Sequence, residues 1–169
     1  MTAATTAPAV NRSDGLPSPR LEPVFTLIVE LAPPVEVGPT PHGTRRVIPI
    51  TGGTFTGPAA SGVIVPGGAD WNLVRGDGVT HLWARYTLRT DDGATLMITN
   101  EGWGTQDEAT MARIFAGEGA DTTDWYCRTN PRFEAGDPRY NWLNHTVFVG
   151  DLRPPTRADQ VVVDVYRVT

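Results

Sequence analysis

Two glycine-punctuated stretches decide the fold, Pro49-Ile-Thr-Gly-Gly-Thr-Phe-Thr-Gly-Pro58 and Gly62-Val-Ile-Val-Pro-Gly-Gly-Ala-Asp-Trp71. Short β-branched runs alternate with Gly-Gly and Pro-Gly pairs, which is typical of consecutive antiparallel strands rather than of βαβ units. A phosphate-binding loop needs a helix after its glycines and commonly a lysine. Here strand-like sequence follows each glycine pair, and the chain contains no lysine. The glycines are therefore interpreted as turn or bulge residues.

Composition narrows the class of protein. The 169 residues carry a formal net charge of −5, which disfavours binding to nucleic acids or to an anionic membrane surface. All 14 basic residues are arginine, so a side-chain amine cannot form a Schiff base. The single Cys127 cannot form an internal disulfide, and no apolar run reaches the roughly 20 residues that span a bilayer. These features indicate a cytoplasmic protein without membrane partners and leave a homo-oligomer open.

The hydrophobic pattern predicts many strands and one helix. Residues 1–20 form a predicted disordered tail, and residues 21–169 form a single domain. The helix is expected over about 106–116, with Thr105 and Glu108 as a capping box and Gly117 at its end. We predict an all-β fold, an antiparallel β-barrel of about 8–10 strands with this short helix. Nine strands are expected at 24–31, 46–56, 61–65, 70–75, 80–90, 94–101, 122–129, 143–150 and 160–168.

Several motifs occur in an order that resembles the DUF3237 (UPF0311) family. Beyond the two opening stretches they are Ala84-Arg-Tyr-Thr-Leu-Arg-Thr-Asp-Asp-Gly93, Arg128-Thr-Asn-Pro-Arg-Phe-Glu134, Tyr140-Asn-Trp-Leu-Asn144, Val147-Phe-Val-Gly150 and Val163-Asp-Val-Tyr166. The resemblance runs from about Phe25 to Val168. It implies a β-barrel, but the family name denotes a domain of unknown function, so no activity follows from it.

Three polar positions depart from the pattern that this family leads us to expect. Trp83 stands where an aspartate is expected, Glu101 where an arginine is expected, and His145 follows Asn144 in place of an arginine. Drift on the outer surface is one explanation. The other is that the paired change at Trp83 and Glu101 keeps a buried charge balance and enlarges an aromatic pocket. On that hypothesis the chain is a specialised member with its own ligand.

Strand alternation divides each strand into two faces. On 82–90 the face with Trp83, Arg85, Thr87 and Arg89 is amphipathic, and we expect it to line a wet lumen. The corresponding faces of other strands carry Thr95, Met97, Thr99 and Glu101, then Tyr126 and Arg128, then Trp142, Asn144, Thr146 and Phe148. A barrel of this size can hold one small ligand among aromatic and polar side chains.

The candidate catalytic residues follow from this assignment. Asp70, beside Trp71, and Glu101, beside Trp103, are the candidate general acids or bases. Arg128 and Asn144 are expected to stabilise an enolate. The candidate substrate-binding residues are Trp71, Trp83, Arg85, Trp103, Tyr126, Phe133 and Trp142. Structural roles remain as alternatives, with Asp70 in a turn, the arginines in ion pairs with Glu134 or Asp91, and the tryptophans in the core.

Other chemistries have weaker support. His42, His81 and His145 are scattered, so we expect no metal site and no cofactor. Cys127 with His145 is a candidate nucleophilic pair, although a lone strand cysteine is more often a core residue. The sequence therefore favours a cofactor-independent lyase, isomerase or cyclase that acts by proton transfer on a hydrophobic, oxygenated small molecule of polyketide-like or aromatic type. A non-catalytic small-molecule-binding barrel is the alternative, and a structural scaffold is a third.

Overall fold

The computed structural model describes residues 17–118 and 125–169. Residues 17–20 have no regular structure, and the rest of the predicted tail, like the first residues of the strand expected at 122–129, lies outside the described residues. The strands are β1 (Leu21–Leu31), β2 (Val35–Thr40), β3 (Gly43–Thr56), β4 (Gly62–Asp70), β5 (Leu73–Val74), β6 (Thr80–Thr90), β7 (Thr95–Gly104), β8 (Cys127–Ala135), β9 (Phe148–Leu152) and β10 (Gln160–Val168). The helices are α1 (Glu108–Phe115) and a 3-10 helix (Pro138–His145).

Eight strands close into an antiparallel barrel, as predicted. Their order is β1, β10, β9, β8, β7, β6, β4 and β3, and β3 pairs with β1 to complete the circle. The short strand β2 lies outside this circle and pairs with β3, and β5 pairs with β3 and β6. Closure leaves the eight barrel strands without a free edge, which removes the usual template for edge-to-edge aggregation.

The glycine pairs lie inside strands, where they interrupt the ladders. Near Gly52 and Gly53 the register of β3 shifts against both β1 and β4, and near Gly67 and Gly68 the register of β4 shifts against β6. Gly53 has a φ of 129°, and a Cβ there would meet the Ile28 carbonyl oxygen. Only glycine fits such a close approach. The Gly52–Gly53 pair therefore lets β3 bend, so that its first half pairs with β2 and its second half pairs with β1.

The interior is filled by the apolar face of the strands. Leu27, Leu88, Leu96, Ile98 and Phe148 are fully buried in one continuous cluster. Ring contacts extend through it, with the Phe133 and Phe148 centroids 5.0 Å apart and those of Phe25 and Phe55 5.6 Å apart. This packed half of the barrel fixes the strand positions that surround the cavity described below.

The N-cap of helix α1 lies two residues later in the sequence than predicted. Asp107, not Thr105, is the N-cap, and its carboxylate accepts a 2.8 Å hydrogen bond from the Thr110 N–H. Glu108 is therefore free to bind Arg46 instead of completing a capping box. Gly117, with a φ of 79°, follows the helix end as predicted.

The structure differs from the predicted strands at several points. The strand expected at 61–65 continues as β4 to Asp70, and of the strand expected at 70–75 only Leu73–Val74 (β5) forms a separate strand. Strand β2 was not predicted, because it contains Gly38 and Pro39, which argue against a strand. It is an outer strand that pairs, among the described strands, with β3. The strand β8 extends to Ala135 through Pro131, which lies beyond the last pair with β9 and therefore meets a ladder on one side only. The strand expected at 143–150 begins instead at Phe148, since Asp137 and Pro138 start a 3-10 helix.

Candidate functional site

A cavity of about 100 Å³ lies inside the barrel, between the strands and α1. Its wall is mostly apolar and includes Val29, Ile50, Leu82, Ala84 and Val163 from the strands. The helix contributes Met111, Ile114 and Phe115, and the segment after β9 contributes Arg153 and Pro155. The volume is on the scale of the roughly 150 Å³ cavity that holds a benzene molecule.

Arg46 attaches the helix that covers the cavity. Its buried guanidinium pairs with Glu36 of β2, 3.2 Å away, and with Glu108 at the start of α1. It also lies 5.6 Å from the centre of the Phe115 ring. One arginine thus connects β2 and β3 to both ends of α1, which holds Met111 and Phe115 over the barrel interior.

Asp70 is the carboxylic acid of the cavity wall. Its Oδ1 accepts a 2.8 Å hydrogen bond from the Trp83 backbone N–H, and its Oδ2 accepts a 3.2 Å bond from the Asn72 amide. Burial raises the pKa of this carboxyl above its usual range, although both hydrogen bonds favour the ionised form. The carboxyl is therefore fixed in position, and its raised pKa makes it a better proton acceptor than an exposed aspartate.

Three further polar side chains face the cavity from neighbouring strands. The Tyr86 hydroxyl, Asn100 Oδ1 and Thr129 Oγ1 are buried, and none has a hydrogen-bond partner among the described residues. The Asn100 amide lies beside the Tyr86 hydroxyl and favours the ionised form of that hydroxyl. The amide and the hydroxyl nevertheless make no well-aligned hydrogen bond. Burial raises the pKa of Tyr86, so its hydroxyl remains protonated and can donate.

Cys127 lines the cavity but is a poor nucleophile. Burial raises the pKa of its thiol to about 12, so the thiolate is scarce at neutral pH. His145 lies at the exposed end of the 3-10 helix rather than inside the barrel. The structure therefore does not bring together the pair that the sequence suggests, and Cys127 is a buried wall residue.

The predicted lumenal face of β6 and β7 is wrong. Arg85, Arg89 and Met97 are exposed, whereas Ala84, Tyr86 and Leu88 face the interior. Trp83 and Glu101 are directly opposed on the outer surface, so they enlarge no internal pocket. The inside of a small barrel follows the more apolar face of each strand, because burying uncompensated arginines is too costly.

The outer face forms its own aromatic layer. The Trp71 and Trp83 ring centres are 5.9 Å apart, and Arg85 lies 4.7 Å from the centre of Trp83. Trp103 stacks on His81, whose Nε2 lies 2.9 Å from the Glu101 carboxylate. Their predicted roles in ligand binding and catalysis stay predictions, but these side chains contribute nothing to the cavity.

The remaining predicted residues have structural partners. Arg128 pairs with Asp151 at 2.6 Å on the outer surface and covers the Tyr126 ring. The Asn144 amide accepts from the Ala135 N–H at 2.8 Å and donates to its carbonyl at 2.9 Å, which fastens the 3-10 helix to β8. Phe133 and Trp142 belong to the core packing around Phe148.

Of the predicted site residues, Asp70 therefore lies on the cavity wall, while the wall groups Tyr86, Asn100 and Thr129 were missed. A signal for two of them exists in the sequence. Asn100 and Thr129 interrupt faces that otherwise carry apolar residues such as Leu96, Ile98 and Cys127. A buried polar residue in an apolar face is informative, because such a residue usually has a hydrogen-bond partner or a functional role.

Within residues 17–118 and 125–169, no three His, Cys, Asp or Glu side chains are grouped so as to hold a metal ion. None of the described helices is both long and apolar enough to cross a bilayer.

Comparison with known proteins places the chain in a family. Residues 19–168 match the family model described as "Protein of unknown function (DUF3237)". A UPF0311 protein of Rhodopseudomonas palustris is 38% identical over 145 residues, which cover 86% of this chain and 94% of the relative.

Solved structures agree on the fold. A conserved protein of unknown function from Rhodopseudomonas palustris has a TM-score of 0.81 at 36% identity, covering 91% of this chain and all of the other. An enzyme from Penicillium herquei has a TM-score of 0.68 at 20% identity, covering 92% of this chain and 98% of the other, so it shows a shared fold alone. From the family model and the identity to the curated relative together, the chain belongs to the DUF3237 (UPF0311) family.

Proposed function

We propose that this protein is an enzyme in which Asp70 transfers a proton to or from a small, hydrophobic, oxygenated substrate held in the barrel. The observation that carries the proposal is the Asp70 carboxyl, fixed by the Trp83 N–H on an apolar cavity wall where burial raises its pKa. A carboxyl in such surroundings can accept a proton from carbon and return it.

The reaction class follows from the groups on the wall. Proton removal beside a carbonyl gives an enolate, and its collapse supports elimination, isomerisation or ring closure, the chemistry of a lyase, isomerase or cyclase. Both arginines on the described wall are already paired, Arg153 with Asp164 and Arg157 with Asp159, each at 2.6 Å. The developing negative charge is therefore stabilised by neutral donors, in place of the predicted Arg128 and Asn144.

The fold is compatible with catalysis. The neighbour from Penicillium herquei is described as an enzyme, and its barrel superposes on nearly the whole of this chain. At its identity this supports only the view that such a barrel can host a reaction.

A non-catalytic binding protein is the second candidate. The mostly apolar wall favours it, because a carrier needs a hydrophobic enclosure and no general acid or base. The two candidates differ in what Asp70 does, since a carrier would retain its function when this carboxyl is replaced.

Proton exchange on a probe tests the proposal without knowledge of the natural substrate. We expect the full chain to accelerate hydrogen–deuterium exchange at the acetyl methyl group of 2-hydroxyacetophenone in D2O, followed by proton NMR. Asp70→Asn should reduce the protein-dependent rate by about 100-fold, a usual magnitude for loss of a general base.

Asp151→Asn is the matched control, because this carboxylate lies on the outer surface and pairs with Arg128. It should leave the exchange rate unchanged. Equal rates for the original protein and Asp70→Asn would refute the proton-transfer role, and bound but unexchanged probe would favour the carrier.

A further inference from the structure

Among the described residues, the cavity wall carries four buried polar atoms without a hydrogen-bond partner: Asn72 Oδ1, beside Asp70, and one atom each of Tyr86, Asn100 and Thr129 on β6, β7 and β8. Tyr86, Asn100 and Thr129 are only 5%, 5% and 6% exposed, and each has a polar atom without a described partner. Buried polar groups in folded proteins nearly always have partners, because leaving one unpaired is unfavourable. Three such groups on one cavity wall indicate a site that completes its hydrogen bonds with a ligand.

The strand register places the three side chains on a diagonal. Asn100 of β7 is paired with Ala84 of β6, two residues from Tyr86. On its other side, Gly102, two residues from Asn100, is paired with Thr129 of β8. Since residues two apart share a face, all three point inward and each is a diagonal neighbour of the next.

Glycines keep the space beside Thr129 free of side chains. Gly102 and Gly150 flank Thr129 in the two neighbouring strands. A Cβ at Gly150 would meet the Thr129 hydroxyl, and one at Gly102 would meet its backbone and methyl group. The hydroxyl of Thr129 therefore keeps its position toward the cavity because these two neighbours have no side chain.

We propose that Tyr86, Asn100 and Thr129 form a polar subsite for a neutral hydroxyaryl carbonyl compound, one aromatic ring that carries a hydroxyl group next to a carbonyl group. Asn100 Oδ1 can only accept, so the ligand must supply a hydroxyl donor there. The hydroxyl of Tyr86 or that of Thr129, each on a diagonal neighbour of Asn100, can donate to the carbonyl oxygen of the ligand. The mostly apolar walls around these polar groups suit an aromatic ring.

This inference rests on the proposed function in that it names the substrate class of the same cavity. It selects against carboxylates, because the wall arginines Arg153 and Arg157 are occupied and Asp70 is nearby. It also selects against purely apolar rings, which would leave the three groups unpaired. The subsite acts in recognition, whereas Asp70 acts on the proton.

Ligand titration of the full chain tests the subsite. By NMR titration we expect 2-hydroxyacetophenone to bind at least tenfold more tightly than ethylbenzene, a ring of similar size without polar groups. Benzoate should bind no better than ethylbenzene. Tyr86→Phe, Thr129→Val or both should reduce the preference to less than threefold, and neither variant should bind ethylbenzene more weakly than the original protein does. A preference that is absent in the original protein, or retained in both variants, would overturn the proposal.

Thermal unfolding of the ligand-free protein gives a second readout that a purely structural role would not produce. Tyr86→Phe removes a buried hydroxyl without a partner, so it should raise the Tm. The matched control is Tyr140→Phe, whose hydroxyl donates a 2.8 Å hydrogen bond to Asp92 and whose ring is equally buried, and there the Tm should fall. A lower Tm for Tyr86→Phe would show that the hydroxyl serves the fold, against the proposal.

The failures of the two proposals are distinguishable. Asp70→Asn should stop proton exchange but keep the preference for 2-hydroxyacetophenone. Loss of exchange with the preference intact leaves the subsite standing, and loss of the preference with exchange intact removes the subsite alone.

Discussion

At the scale of single residues, Asp70 gives the protein a dependence on pH. Its pKa in the folded protein is raised above the reference value of 3.8 because the carboxyl is buried. In the unfolded chain Asp70 ionises near that reference value, while the folded protein resists ionisation. The folded state therefore loses stability, through this group, as the pH rises from the unfolded pKa to the folded pKa, and loses no more above it.

We expect Asp70→Asn to remove this dependence. The difference in unfolding free energy between Asp70→Asn and the original protein should grow in favour of the variant by about 1.4 kcal/mol per pH unit within that window. Urea denaturation at several pH values between 3 and 8 measures it. A constant difference between Asp70→Asn and the original protein across these pH values would contradict the raised pKa of Asp70.

The residue scale also shows what the sequence could predict of the site. Asp70 is identifiable from the sequence by its place beside Trp71, just after a Pro-Gly-Gly stretch, although the structure places it at the end of β4 and not at the start of a strand. Trp83 and Arg85 were assigned to the wrong side, since alternation separates two faces but does not say which one is inside. The apolar content of Ala84, Tyr86 and Leu88 decides that question, and it outweighs the attraction of an arginine and a tryptophan as ligand-binding residues.

At the scale of elements, strand β3 depends on one glycine. Gly53 and Gly67 both have positive φ, 129° and 114°, but only Gly53 lies against another strand, where a Cβ would meet the Ile28 carbonyl oxygen. We expect Gly53→Ala to destabilise the protein by more than about 3 kcal/mol, since backbone strain adds to a clash with main chain. Gly67→Ala, with no atom within 4 Å of its Cβ, should cost only the strain of about 1–2 kcal/mol. Chemical denaturation measures both, and equal losses would show that close approach at Gly53 contributes nothing.

Element prediction succeeded where a strand has a continuous apolar face and failed where it does not. The hairpin of β6 and β7 is defined by alternation over its whole length, and the turn ends in Gly93 with a φ of 90°. In contrast, β8 contains Pro131, a residue that usually argues against a strand with neighbours on both sides. Beyond Thr129, where the pairing of β8 with β9 ends, contacts with the 3-10 helix such as the Asn144 hydrogen bonds to Ala135 take the place of strand pairing. No local sequence pattern predicts these contacts.

At the scale of the whole molecule, closure joins the two ends of the described chain. Leu21 of β1 is paired with Val168 of β10, and the same strand β1 is also paired with β3. The β6–β7 hairpin, by comparison, forms between residues that are close in sequence. Contacts between distant residues are slow to form, because the entropy of loop closure must be overcome before the contacts stabilise the chain. We therefore expect the hairpin to form before the β1–β10 seam.

The seam and the hairpin can be compared through two identical substitutions. Leu27 of β1 and Leu96 of β7 are both fully buried, so Leu27→Ala and Leu96→Ala should each lower stability by about 2–5 kcal/mol. If the seam closes late, Leu27→Ala should mainly accelerate unfolding, because its contacts are absent from the transition state. Leu96→Ala should mainly slow refolding, because the hairpin is already formed there. Stopped-flow folding and unfolding rates in urea separate the two effects. The opposite partition, with Leu27→Ala slowing refolding, would mean that closure of the barrel initiates folding.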